Sequence, residues 1–259
     1  MKTKFMLCIA HYGMANRQYI IKCLNEYDKF EKYDIDCHLD LTDPIDLPEF
    51  KKIKIYTHFY KKDIGMSLTM EHRKKMASKL NDYDIFLYAE DDIFITEKNI
   101  DSWIDIQNTL PKGFVCGFLR YEQKEGDSYK FLFDTHPTHS SHRYGRETNT
   151  IFKEGFIING EKYLELYNIH QGCYILTREM LTTVIDSGKY LEDENHYVGI
   201  LEGAASNVFY KCGLIRILPA KKIENLLVHH SCNKYVKKLE YFYTKESTLD
   251  DKKWETLLN

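Results

Sequence analysis

One short stretch restricts the possible folds of this 259-residue chain more than any other. An unbroken apolar run at 85–89 ends at three consecutive carboxylates, Glu90, Asp91 and Asp92. A short apolar run with polar borders predicts a strand buried on both faces, which is typical of a parallel sheet covered by helices. Because ligands of such sheets bind at the carboxyl ends of the strands, we expect the three acids to lie at a ligand site.

The chemistry of these acids indicates which ligand to expect. Carboxylate oxygens favour a hard divalent cation, Mg²⁺ or Mn²⁺, and such ions usually bridge to phosphate groups. A solvated acidic turn after a core strand is the alternative interpretation of the same pattern. The flanking sequence therefore has to distinguish a cation site from a solvated turn.

Hydrophobic periodicity predicts alternating strands and helices on either side of this stretch. Further strands are predicted at 5–10, 35–41, 53–59, 114–121, 151–158, 161–166, 169–176, 214–218 and 226–228. Helices are predicted at 16–30, at 67–80, at 197–212 and after the capping residues Thr96 and Thr177. Asn159-Gly160 predicts a β-hairpin. Together these elements indicate an α/β fold with a mixed, mostly parallel sheet and helices on both faces.

Composition narrows the class of protein. The net charge of -3 provides no basic field, which argues against a nucleic-acid partner. No apolar run approaches the roughly 18 to 20 residues that a transmembrane helix needs, so we expect no membrane span. The seven cysteines are scattered without a CxxC pair, which favours reduced thiols and a cytoplasmic location.

Several motifs occur in an order that resembles one enzyme family. Gly65 and a helix bearing Arg73 precede the buried strand and its acidic triplet, Glu90-Asp91-Asp92. Later come the segment 172–178, a helix carrying Leu201-Glu202-Gly203, and a histidine after the last core strand. This order, over roughly 4–235, resembles the GT-A fold glycosyltransferases, with Glu90 in the first position of their DxD motif.

The resemblance implies a single Rossmann-like GT-A domain over 1–259. Its nucleotide-sugar half would span about 1–122, its acceptor half about 150–235, and a tail 236–259. The implied activity is transfer of a sugar from a UDP- or GDP-sugar to a hydroxyl group of a glycan, a glycoprotein or a small molecule. The implied cofactor is Mn²⁺ or Mg²⁺, because a divalent ion neutralises the charge that builds on the leaving diphosphate.

The resemblance also implies roles for residues at the cation. Asp92 is the first candidate for a direct metal ligand, Asp91 is the next, and Glu90 would reach the ribose. A histidine, His230 or His229, would complete the ligands from a distant part of the sequence. One helix residue, Arg73, is a candidate contact for the diphosphate, with an ordinary exposed arginine as the alternative.

A nucleotide pocket is expected where the first strand ends. Candidate contacts are Ala10, His11, Tyr12, Arg17 and Asp40. The ring of Tyr12 offers a stacking face, and Asp40 offers an acceptor to a base or ribose donor.

The acceptor hydroxyl needs a base, and Glu202 is the candidate because it borders the apolar stripe of its helix. Asp193 or Glu194 could serve instead. Direct attack assisted by Glu202 would invert the anomeric configuration.

Three other functions fit parts of the sequence. They are a sugar nucleotidyltransferase, a non-catalytic protein that binds nucleotide sugars or metal, and a metal hydrolase that uses the histidine pair. His136, His139 and His142 lie in a long polar segment, where an acceptor-binding loop is expected rather than a zinc site. A capping-box pattern at 248–251 predicts a small C-terminal helix, which would dock on the body or on a second subunit of a homo-oligomer.

Overall fold

The strand that precedes the acidic triplet lies inside a five-stranded sheet. In sheet order, the strands are β10 (Cys173–Thr177), β4 (Ile85–Glu90), β1 (Thr3–His11), β2 (Tyr33–Leu41) and β3 (Lys54–Phe59). The last four are parallel to one another, and β10 is antiparallel to β4. The fold is therefore α/β, and this sheet is mixed and mostly parallel, as the sequence predicts.

This computed structural model describes residues 2–123, 126, 130, 152–166, 170–192 and 199–235. The described residues form two further sheets instead of extending the first one. One contains β6 (Phe114–Cys116), β11 (Ile215–Pro219), β9 (Glu161–Leu166) and β8 (Phe152–Ile158) in that order. The other contains β5 (Ile93–Phe94), β12 (Leu227–His230) and β7 (Leu119–Tyr121).

The predicted single strand at 114–121 is wrong, because its two halves belong to different sheets. The strand is interrupted at Gly117, and the buried side chain of Arg216 packs against this glycine. A Cβ atom at Gly117 would lie 2.7 Å from Cδ of Arg216, so only glycine leaves room for this side chain.

Five α-helices occur among the described residues. They are α1 (Arg17–Tyr27), α2 (His72–Ser78), α3 (Glu97–Gln107), α4 (Arg178–Asp186) and α5 (Ile200–Tyr210). The Thr96 and Thr177 hydroxyls cap α3 and α4 as predicted, each accepting a bond from the backbone N–H three residues on. No helix in the described part of the chain is long and apolar enough to cross a membrane.

The predicted helix at 67–80 has a different form. A 3-10 helix runs over Lys62–Met70, and α2 follows after Glu71. Gly65 lies inside the first segment with φ 53° and ψ -134°, a conformation that interrupts a regular helix.

Local signals account well for the remaining elements. Asn159 and Gly160 both have positive φ values, 52° and 80°, which is the turn geometry that joins β8 to β9. The side chains of 85–89 are 5% exposed or less, so β4 is buried on both faces. Cys232 is partly exposed, whereas the other cysteines are buried thiols.

Candidate functional site

A cavity of about 1070 Å³ lies where β1 and β4 end. Seven of the predicted site residues line it: Ala10, Tyr12, Glu90, Asp91, Asp92, Glu202 and His230. Side chains from both halves of the chain therefore meet at one site.

Asp92 and His230 are in direct contact, with 3.1 Å between Oδ2 of the carboxylate and Nε2 of the imidazole. Backbone pairing enforces this contact. His230 in β12 is the partner of Ile93 in β5, and the Ser231 N–H donates to the Asp92 carbonyl at 2.7 Å. Burial raises the pKa of Asp92, but the bonds with His230 and Cys232 and the charges of His230 and Arg120 together lower that pKa below its ordinary value.

His230 is held on both sides of its ring. Its Nδ1 atom lies 2.6 Å from Oε1 of the buried Glu122, and its Nε2 atom lies 3.3 Å from Sγ of Cys232. Burial lowers the pKa of His230, but bonds to Asp92, Cys232 and Glu122 outweigh burial and raise it above its ordinary value. A carboxylate behind the ring is how proteins commonly orient a metal-binding histidine.

This corner of the cavity fits a divalent cation. Asp92, His230 and Cys232 each offer one ligand atom, and these three atoms lie within 4.8 Å of one another. Two of the three donors are the carboxylate and imidazole that first-row divalent metals accept readily.

Asp91 is engaged on both oxygens. Nδ1 of the buried His11 lies 2.6 Å from one oxygen, and Nδ2 of Asn16 donates to the other at 3.0 Å. Burial raises the pKa of Asp91, and the bond to His11 partly opposes that shift. This carboxylate therefore joins the end of β4 to β1 and to the start of α1.

Glu90 is partly exposed where it lines the cavity. Burial raises its pKa to about 7, although the charge of Arg120 opposes that shift. Gly172, with φ 65°, lies against it, and a Cβ atom there would be 3.1 Å from Oε2 of Glu90. Near neutral pH this side chain can therefore both donate and accept a hydrogen bond.

Glu202 lies in the first turn of α5, where the helix dipole favours negative charge. Its Oε2 atom folds back over Gly199, where an added Cβ atom would lie only 2.7 Å away. The buried side chain of Arg73 holds the backbone of this first turn. Nη2 of Arg73 donates to the carbonyls of Gly203 at 2.8 Å and Ala204 at 3.4 Å.

Five of the predicted contacts are not among the residues that line the cavity: His11, Arg17, Asp40, Arg73 and His229. Arg73 is 2% exposed and holds backbone carbonyls, so the structure gives it no surface for a diphosphate. Two others are tied elsewhere, Arg17 to the Asp46 carbonyl at 2.8 Å and Asp40 to Lys75 at 2.7 Å.

His229 and His230 point to opposite faces of β12, because side chains alternate along a strand. The ring of His229 stacks on Tyr121 with 4.9 Å between ring centres, and its Nε2 atom lies 3.1 Å from Oδ1 of Asn233. Of the two histidines, the one beside Asp92 is His230.

Some residues of the site have no clear sequence signal. Arg120 and Lys234 line the cavity and bring positive charge to it, and Cys232 lines it beside His230. Arg120 is the only charged residue in the apolar stretch 114–121, and this isolated charge could have marked it as a candidate site residue. Glu122 follows the same stretch and carried no signal of its own.

Several predictions lie outside the described residues. They are the loop with His136, His139 and His142, the alternative bases Asp193 and Glu194, and the tail 236–259.

Comparison with known proteins gives little further identification. No protein-family model and no curated protein matches this chain. The crystal structure titled S. aureus TarS 1-349 is similar to it, with 14% sequence identity and a TM-score of 0.44. That match covers 89% of this chain and 58% of the TarS chain, so this chain spans less than two thirds of the TarS length.

Proposed function

We propose that this protein is a metal-dependent glycosyltransferase that moves a sugar from a nucleoside diphosphate sugar to an acceptor hydroxyl. One observation carries the proposal. Asp92 and His230 come from distant parts of the sequence, touch at 3.1 Å, and line a cavity that Glu202 also lines. A cation site and a candidate base therefore share one space large enough for a nucleotide sugar.

Asp92 and His230 would hold the cation, Mn²⁺ or Mg²⁺. When bound, such an ion stabilises negative charge on a leaving diphosphate. Asp91 would act as a positioning residue, because its oxygens are already used by His11 and Asn16. It keeps the turn after β4 in the shape that directs Asp92 towards His230.

The walls of the cavity offer contacts for the rest of a donor. The Tyr12 side chain is 50% exposed, and its hydroxyl donates to the Lys62 carbonyl, so its ring presents a fixed face for a base. Arg120 and Lys234 supply the positive charge that a diphosphate requires. Glu90 is the candidate contact for a ribose hydroxyl.

Glu202 would accept the proton of the attacking hydroxyl. Its position in the first turn of α5 suits a carboxylate, because the helix dipole favours negative charge there. Attack on the anomeric carbon from the Glu202 side, opposite the diphosphate, would invert the configuration.

The test is a panel of UDP- and GDP-sugars with Mn²⁺ or Mg²⁺. We expect one donor to raise the melting temperature, to do so only with metal, and to release diphosphate slowly by hydrolysis or faster with an acceptor. Glu202→Gln should keep the thermal shift and lose about 100-fold or more of the release rate.

Each rival function has its own outcome in this assay. A thermal shift with a release rate that is undetectable in wild type and variant alike would indicate a binding protein. Pyrophosphate-dependent formation of a nucleoside triphosphate from the donor would indicate a nucleotidyltransferase. Chelator-sensitive hydrolysis of substrates without a nucleoside diphosphate would indicate a metal hydrolase.

A further inference from the structure

Cys232 is the one cysteine that reaches the cavity, since the other six are buried outside its lining. Its Sγ atom lies 3.3 Å from Nε2 of His230, on the same side of the ring as Asp92 Oδ2 at 3.1 Å. Three donor types, oxygen, nitrogen and sulfur, therefore converge where the proposed function places its cation.

These separations are close to those of a coordinated metal. Ligand bonds of about 2.0 Å to oxygen and nitrogen and 2.3 Å to sulfur, at tetrahedral angles, separate neighbouring ligand atoms by roughly 3.3 to 3.6 Å. The observed distances to Nε2 of His230 are 3.1 Å from Asp92 and 3.3 Å from Cys232, so these two ligands need to move away from the imidazole by only a few tenths of an ångström.

The turn that carries Cys232 is built to hold it there. Asn233, with φ 48°, closes the turn by donating its N–H to the His230 carbonyl at 3.1 Å. The Oδ1 atom of Asn233 accepts from the Gln123 N–H at 3.1 Å. Behind His230, the two oxygens of Glu122 are used by the imidazole and by the Tyr235 N–H at 2.8 Å. A ligand set fixed on both sides in this way loses little entropy when a metal binds.

We propose that Cys232 is a third protein ligand of this cation site and that its sulfur makes the site favour Zn²⁺ or Co²⁺ over Mg²⁺. The thiol would lose its proton to solvent as the metal binds. The reason for the preference is that thiolate is a soft ligand, which suits borderline transition metals, whereas Mg²⁺ demands oxygen ligands. This inference rests on the cation site of the proposed function and adds one ligand and a metal preference to it.

The test is a titration of the chelator-treated protein with Co²⁺ alone, in which near-ultraviolet absorption is measured. A thiolate ligand gives a sulfur-to-cobalt charge-transfer band that oxygen and nitrogen ligands do not give. We expect this band in the wild type, and we expect excess Mg²⁺ to leave it unchanged. Cys232→Ser should abolish the band and weaken Co²⁺ binding about tenfold or more.

Ser231→Ala is the matched control, because it alters the neighbouring residue of the same turn and keeps the thiol. It should retain the band. Cys232→Asp is the second variant, which replaces sulfur with a hard oxygen ligand. It should lose the band and bind Mg²⁺ more tightly than the wild type does.

Two outcomes would overturn the inference: no charge-transfer band in the folded wild type, or a band that survives in both Cys232 variants. Neither outcome depends on a nucleotide sugar. A band without any donor turnover would remove the proposed function and keep the Cys232 ligand. Donor turnover with Mg²⁺ at equal rates in wild type and Cys232→Ser, without a band, would remove the ligand and keep the function.

Discussion

Two neighbouring carboxylates, Asp91 and Asp92, each pair with a histidine, but the two pairs have different surroundings. In the Asp91–His11 pair, the histidine is fully buried and does not line the cavity, and Asn16 takes the second carboxylate oxygen. In the Asp92–His230 pair, both residues line the cavity, and Cys232 is an additional donor beside them. One pair therefore stabilises the turn after β4, and the other is available to a ligand.

This difference shows that adjacency in sequence does not make two acids equivalent. Asp91 and Asp92 leave β4 in different directions, and each meets the histidine of a different strand, β1 or β12. Loss of Asp92 should affect chemistry first, and loss of Asp91 should affect stability first.

The largest expected effect is that of Asp92→Asn on transfer. We expect kcat/KM to fall about 1,000-fold, equivalent to roughly 4 kcal/mol of transition-state stabilisation, because the proposed cation would lose a charged ligand. The measurement is the initial rate of diphosphate release with the best donor and saturating Mn²⁺. If Asp92→Asn keeps a tenth of the wild-type kcat/KM, Asp92 is not a ligand of a catalytic cation. The Asp92–His230 pair would then be structural, like the Asp91–His11 pair.

Asp91→Asn should instead lower the free energy of unfolding by about 3 to 5 kcal/mol, because it leaves the buried His11 without its charged partner. Urea denaturation measures this loss. Asp92→Asn is the matched control and should lose less, since His230 keeps its bonds to Glu122 and Cys232. Equal losses in the two variants would mean that both pairs are structural.

A third histidine, His38, should make stability sensitive to acid outside the cavity. Burial, with the charge of His58, lowers the pKa of His38 from 6.5 to about 4. A lowered histidine pKa stabilises the fold above the unfolded value, and that stability is lost as the pH falls through the folded value. Between pH 6.5 and 4, the wild type should therefore lose up to about 3 kcal/mol more than His38→Gln.

Denaturation curves of both proteins at a series of pH values measure this difference. If the two proteins lose stability in parallel, His38 is not the acid-sensitive group. The same series for Asp91→Asn then separates acid effects on the Asp91–His11 pair from effects on the rest of the fold.

The smallest expected effect is that of Gly199→Ala, which leaves both pairs untouched. The backbone φ of -161° at Gly199 is extended and accepts any residue. The new Cβ atom would meet Oε2 of Glu202 at 2.7 Å and displace that carboxylate. We expect kcat to fall about tenfold with an unchanged melting temperature, because a misplaced base lowers the rate without unfolding the protein.

Gly155→Ala is the control for this prediction, since its Cβ atom would make only ordinary contacts at 3.8 and 3.9 Å. Its rate and melting temperature should match those of the wild type. If Gly199→Ala has wild-type kcat, the position of the Glu202 carboxylate is irrelevant to the rate.

Local sequence patterns, such as hydrophobic periodicity and turn and capping residues, were sufficient to predict most of the helices and strands. The buried strand at 85–89, the hairpin at Asn159-Gly160 and the caps at Thr96 and Thr177 all depend on residues close in sequence. The two errors at 114–121 and 67–80 have other causes. At Gly117 a buried arginine from β11 packs against the break, and at 67–80 the first residues belong to a 3-10 helix while the α-helix covers only His72–Ser78.

The candidate site was predictable only in part for the same reason. Asp92 follows from the end of a buried strand, and the resemblance pointed to a late histidine without choosing between His229 and His230. The pairing of β12 with β5 makes that choice, because it decides which face of β12 meets Asp92. Cys232 then reaches the site because of that same pairing. Sequence alone could not show that Arg73 is buried against backbone carbonyls.

The position of β12 between β5 and β7 has a consequence for synthesis on the ribosome. A growing chain exposes its acids at 90–92 long before the residues after 226 have been made. During that interval β5 and β7 lack the strand that pairs with both of them, and Asp92 lacks its contact with the imidazole of His230. The contact between Asp92 and His230 can therefore form only after β12 has been made and has paired with β5.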